Sequence, residues 1–101
     1  MNNVTVLYFM TTGWVCSACR GFHPHIVALC KDSNVPLYVI DVSRKDVDEN
    51  GLIGEDEGVR YNICGLPTVI VLKSGQEVGR IDNGVTKQGV IDLISAAKRD
   101  D

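Results

Sequence analysis

Two cysteines, Cys16 and Cys19, stand two residues apart between a predicted strand and a predicted helix. The residues before them, 4–10, are mostly aliphatic or aromatic and are followed by Thr-Thr-Gly, which favours a short strand. From residue 17 to 31, apolar side chains recur at the spacing of one helix face. The pair therefore lies where the carboxyl end of a strand meets the first turn of a helix. Its spacing alone leaves three roles open: metal ligands, a structural disulfide or a reactive dithiol.

The same two periodicities predict the later elements. Mostly apolar runs indicate strands at 36–42, 68–72 and 77–82, and the last two form a hairpin around a Lys-Ser-Gly-Gln turn. A final helix over 86–99 begins at Thr86, whose hydroxyl suits a helix cap. The apolar face of this helix is expected to consist of Val90, Ile91, Leu93 and Ile94.

A charged, glycine-containing segment separates the second and third strands. A short helix is predicted at 56–61, and residues 43–54 are expected to form an excursion on the rim that buries little. The acidic run at 55–57 is interpreted as ordinary solvent-facing surface, as most charge runs are.

The order of elements predicts an α/β fold in which βαβ is followed by ββα. The first two strands should be parallel, since a right-handed helical crossover joins them. Together with the hairpin they make a four-stranded mixed sheet with helices on both faces. The 101 residues and a hydrophobic content of 45% match one small globular domain, so we expect a single domain over 1–101.

The position of the cysteine pair favours thiol chemistry. A helix N-terminus presents unpaired N–H groups and a partial positive charge, which lower the pKa of a thiol there. Cys16 would be the exposed nucleophile, and Cys19, one turn inward, the sheltered thiol that resolves a mixed disulfide. The alternative from another class is a metal site: either tetrahedral zinc on Cys16, Cys19 and His23, with Cys64 as a fourth ligand, or an iron–sulfur cluster shared across a dimer.

A second motif, Gly-Leu-Pro-Thr, opens the third strand. A proline directly before a buried strand is tolerated at its first position or at a special bend. We predict that the Leu66–Pro67 bond is cis, which would bring backbone groups beside Cys16 and let an extended chain pair there. An ordinary trans proline capping the strand is the alternative.

Taken together, these motifs resemble the thioredoxin superfamily. The resemblance rests on Trp-Val-Cys-Ser-Ala-Cys after a strand, Pro24 in the helix, Gly-Leu-Pro-Thr before the hairpin, and Gly84 after it. It implies a thioredoxin-like fold and reduction of protein disulfides, with Cys16 as nucleophile and Cys19 as resolving thiol. The expected substrate-contacting residues are Trp14, Leu66, Pro67 and Thr68. No cofactor is expected, since the dithiol carries two electrons, and a peptide-binding module without catalysis is the alternative.

One departure from the family concerns the acid that thioredoxins bury beneath the second cysteine. Its place falls at Tyr8 or Met10, and neither is an acid. His23 lies one helical turn beyond Cys19 on the same face, so it is the candidate acceptor for the proton of Cys19. A structural histidine bonded to the backbone is the alternative reading. Cys30 and Cys64 are interpreted as core filler and as a bystander.

Bulk properties set the expected partners. The net charge of −3 argues against nucleic acid, and no apolar run reaches the ~18–20 residues that cross a membrane. The first ten residues lack the basic region of a signal peptide. We therefore expect a cytoplasmic protein that binds neither nucleic acid nor a membrane. The partners that the resemblance implies are protein disulfides and a disulfide reductase that recycles the dithiol, and a monomer is expected.

Overall fold

The computed structural model describes residues 3–99, and its elements follow the predicted order. They are β1 (Val4–Met10), α1 (Ser17–Ser33), β2 (Leu37–Asp41), α2 (Gly54–Arg60), β3 (Thr68–Lys73), β4 (Gln76–Asp82) and α3 (Lys87–Arg99). No helix in this range is long and apolar enough to cross a membrane.

The four strands form one mixed sheet in the order β2-β1-β3-β4. β1 pairs with β2 in parallel, with Val6 opposite Leu37, and with β3 in antiparallel fashion, with Val6 opposite Val71. β4 pairs antiparallel with β3, and the register shifts between Val71 and Leu72. Because β1 is an inner strand, the cysteine pair follows the end of a central strand and not of an edge strand. The predicted fold class is confirmed.

Alternate residues of β1 supply two separate cores. Val4, Val6 and Tyr8 face the core formed with α1 and α3, which also contains Ile26 and Val90. Leu7 and Phe9 face the opposite core, where the partly buried residues Leu52, Tyr61, Ile63 and Leu66 come from around α2. Burial on both faces explains why β1 is a nearly continuous apolar run.

Both long helices differ in detail from the prediction. α1 runs two residues beyond Lys31, because Asn34 adopts a left-handed cap (φ 56°) and its N–H reaches the carbonyls of Cys30 and Lys31. In α3, Thr86 caps as predicted, since its hydroxyl accepts from the N–H of Gly89 at 3.0 Å. Placing Ile91 on the apolar face is wrong: it is 37% exposed, and Ala97 is buried instead.

The rim excursion is only partly as predicted. Residues 45–47 and 49–51 are exposed, and a short bridge pairs Val47 with Ile53. Leu52, however, packs against the core on the α2 side, and Gly54 is buried. A side chain at Gly54 would collide with the backbone of Asp41, so this glycine lets α2 approach the end of β2.

Candidate active site

The cysteine pair forms a disulfide at the start of α1. The Cα atoms of Cys16 and Cys19 are 5.3 Å apart, within the usual range for a disulfide. Cys16 is the N-cap of α1, and its Sγ accepts a hydrogen bond from the N–H of Cys19 at 3.3 Å. Cys16 is partly exposed whereas Cys19 is 1% exposed. The site thus presents one sulfur to solvent and shelters the other.

Tyr8 lies directly beneath the pair. It is fully buried, and its hydroxyl donates a hydrogen bond of 2.6 Å to the carbonyl oxygen of Cys19. Burial raises the pKa of Tyr8 to about 12, so the phenol stays protonated at neutral pH. Of the two positions predicted for the absent acid, Tyr8 is the one that contacts Cys19, and it contributes a donor rather than a base.

His23 lies beside the dithiol, as its spacing predicted. Its ring stacks on that of Tyr8, with the centroids 6.0 Å apart and the planes inclined by 16°. With Cys16 and Cys19 it lines a cavity of about 280 Å³, which we call the smaller cavity. His25 is exposed and makes a ring contact with Phe22, so the two histidines occupy different surroundings.

The Leu66–Pro67 peptide bond is cis, as predicted. Leu66 lines a second cavity of about 790 Å³, the larger cavity, together with Cys16. Pro67 and Thr68 are buried, and neither lines the larger cavity. The hydroxyl of Thr68 donates to the carbonyl of Gly65 at 2.6 Å. Its side chain therefore stabilises the loop before β3, and the substrate contacts expected of Pro67 and Thr68 stay predictions.

The larger cavity also brings together residues that the sequence analysis did not. Trp14, which is 59% exposed, lines this cavity together with Cys16 and so lies beside the dithiol, as predicted. Glu55 and Val59 of α2 line it as well, where only solvent-facing surface was expected at 55–57. The sequence feature that could have indicated this packing is Gly58. A Cβ there would lie 3.2 Å from Val42, so glycine lets α2 pack closely.

The other two cysteines differ in accessibility. Cys30 is 2% exposed, and burial raises the pKa of its thiol to about 11. Cys64 is exposed and lines the larger cavity, with its Sγ 3.4 Å from the carbonyl oxygen of Asn62. Within residues 3–99, no cluster of three or more His, Cys, Asp or Glu side chains is arranged to hold a metal ion.

Comparison with known proteins identifies close parallels. The thioredoxin family model matches residues 1–96. The thioredoxin of Echinococcus granulosus is 31% identical over 81 residues, which cover 80% of this chain and 67% of the relative. Thioredoxin 1 of Thermosipho africanus superposes with a TM-score of 0.76 at 25% identity, covering 94% of both chains. Reduced Schistosoma mansoni thioredoxin pre-protein superposes with a TM-score of 0.75 at 27% identity, covering 94% of this chain and 79% of that one.

Proposed function

The chain belongs to the thioredoxin family and is a thiol–disulfide oxidoreductase, and on that premise we propose that Cys16 attacks the substrate and Cys19 resolves the mixed disulfide. Members of this family act on protein disulfides and are recycled by reductases. The observation that carries the assignment is the difference in accessibility. Cys16 lines both cavities, while Cys19 is 1% exposed and reaches only the smaller one.

The proposed cycle balances with the dithiol as sole electron carrier. The thiolate of Cys16 attacks one sulfur of a substrate disulfide, a mixed disulfide forms, and the other substrate sulfur leaves as a thiolate. Cys19 then loses its proton and attacks the sulfur of Cys16, which releases the second substrate thiol. The Cys16–Cys19 disulfide remains, and a disulfide reductase returns two electrons to it. A small domain of this kind suits an electron donor to a reductase or peroxidase in the cytoplasm.

We propose that His23 accepts the proton that Cys19 loses. A sheltered thiol loses its proton reluctantly, because burial disfavours the thiolate. Tyr8 cannot accept this proton, since its hydroxyl is protonated and already donates to Cys19. His23 lines the same cavity as both sulfurs, and an imidazole is the side chain best suited to accept a proton near neutral pH.

Single-cysteine variants test the order of attack. Cys16→Ser should abolish reduction of insulin, whereas Cys19→Ser should accumulate a stable mixed disulfide with the substrate. In a Cys64→Ser background, which removes the exposed bystander, iodoacetamide should label reduced Cys16 first near pH 7 and leave the buried Cys19 and Cys30 unlabelled. Faster labelling of Cys19 than of Cys16, read by peptide mass, would reverse the assignment.

A further inference from the structure

Two cavities meet at the reactive cysteine. The larger, of about 790 Å³, and the smaller, of about 280 Å³, share two lining residues, Trp14 and Cys16. A substrate chain whose sulfur reaches Cys16 therefore extends from one cavity towards the other. The apolar rim suits an extended peptide, because Val15 is 83% exposed and Val59 is 75% exposed.

The two cavities carry opposite charges. In the larger cavity, Glu55 is the one Asp, Glu, Lys, Arg or His among the described lining residues. Glu55 is exposed and makes no ion pair with another residue of the range 3–99. The smaller cavity is lined by Arg20 and His23 and by no acidic residue within the same range. The charged lining residue is therefore acidic in the larger cavity and basic in the smaller one, and Cys16 lies between them.

Neighbouring charges leave Glu55 available to a ligand. Arg44, in the loop between β2 and α2, pairs with Asp46 at 3.0 Å and with Glu49 at 3.8 Å. Arg60, at the end of α2, pairs with Glu57 at 3.5 Å. These two cations pair with other acids, so Glu55, which lines the larger cavity, has a partner in neither of them.

We propose that this polarity selects substrates in which the attacked cysteine is flanked by a basic residue on one side and an acidic residue on the other. The basic residue pairs with Glu55 and the acidic residue with Arg20. The proposal rests on the assignment of Cys16 as the attacking thiol. It names a charge-ordered peptide disulfide as the preferred substrate: the peptide backbone crosses the site in one direction, so only one order of the two charges places both beside their partners.

Matched peptides separate charge order from net charge. Each peptide carries one cysteine joined by a disulfide to 2-mercaptoethanol. One has Lys two residues before the cysteine and Glu two after, the second has the reverse order, and the third has Ala at both places. The first two have equal net charge, so the overall charge of the protein cannot distinguish them. Single-turnover release of peptide thiol by the reduced protein is measured by chromatography.

One charge order should react about threefold to tenfold faster than the other at low ionic strength, because two exposed ion pairs each contribute modestly. The preference should fade in about 0.5 M salt. Glu55→Gln and Arg20→Gln should each reduce it, and the double variant Glu55→Lys with Arg20→Glu should reverse it. Asp56→Lys and Lys31→Glu, exposed positions on the same helices outside both cavities, serve as charge-matched controls and should retain it.

The outcomes distinguish failure of the charge-order proposal from failure of the assignment of Cys16. Equal rates for the two charged peptides, with the Ala peptide also reduced, would overturn the charge-order proposal and leave the assignment of Cys16 intact. A preference that the double variant does not reverse would overturn it as well. If the protein reduced none of the three peptides, both the assignment of Cys16 and the inference built on it would be contradicted.

Discussion

Tyr8 is one of the two positions where the resemblance led us to expect an acid, and a phenol there limits how the thiol of Cys19 can lose its proton. The phenol contributes a buried donor, fixed on the carbonyl of Cys19 at 2.6 Å. Its ring also supports His23 by stacking. In the proposed mechanism, Tyr8 is therefore a positioning residue and His23 accepts the proton.

His23→Ala should slow the resolving step by about 10²-fold, the lower end of what a positioned general base contributes, while attack by Cys16 is unchanged. Stopped-flow measurement of mixed-disulfide formation and decay between pH 6 and 8 separates the two steps. His25→Ala is the matched control, since this exposed histidine is on the same helix but lines neither cavity. Equal decay rates for the two variants across that range would rule out His23 as the acceptor.

At the scale of elements, α2 depends on its close approach to the end of β2. A Cβ at Gly54 would meet the carbonyl group of Asp41, which is backbone and cannot rotate away. Gly54→Ala should therefore lower the free energy of unfolding by about 1–3 kcal/mol, the usual cost of overpacking. Urea denaturation followed by circular dichroism measures it.

Gly21→Ala provides the control for that substitution. Gly21 lies inside α1 with open space around its Cβ position, so alanine there should raise the free energy of unfolding by about 0.5–1 kcal/mol through helix propensity. If Gly54→Ala were as stable as the unsubstituted protein, the close packing of α2 on β2 would be contradicted.

The elements themselves could be predicted because their signals are local. The apolar run of β1, the helical spacing of α1 and the capping hydroxyl of Thr86 each act within a few residues. The residues that line the site could not be predicted in the same way, because the position of Glu55 depends on where α2 packs. That packing is decided by contacts between Gly54 and Asp41 and between Gly58 and Val42, which are distant in sequence. The contact of Tyr8 with Cys19 likewise depends on how α1 settles on the sheet.

For the whole molecule, Asp41 links stability to pH. Partial burial opposes ionisation of this carboxylate, but hydrogen bonds from Ser43 and Thr12 outweigh it and lower the pKa of Asp41 below its ordinary value. A folded-state pKa below the unfolded one means that the stabilisation is present above the unfolded value. It is lost as the pH falls through the folded value.

Asp41→Asn should lower the free energy of unfolding by about 1–3 kcal/mol at pH 7, because charge-assisted hydrogen bonds are lost. The two proteins should converge as the pH falls through the folded-state pKa of Asp41, since the native carboxyl then becomes protonated as well. Denaturant titrations at a series of pH values measure the difference. A difference that stays constant from pH 7 to pH 2 would show that Asp41 acts without its charge.

The order of strands leaves β2 and β4 as the two open edges of the sheet, where unpaired N–H and C=O groups could template a strand from another copy. β4 carries a bidentate pair, in which Arg80 donates to both carboxylate oxygens of Glu77 at 2.7 Å, and the irregular register with β3 interrupts its regularity. β2 is only five residues long and follows Pro36. Charge, irregularity and shortness are the features by which natural sheets resist edge-to-edge aggregation. The same architecture that exposes a reactive sulfur at the end of β1 therefore discourages amyloid-like stacking along its sides.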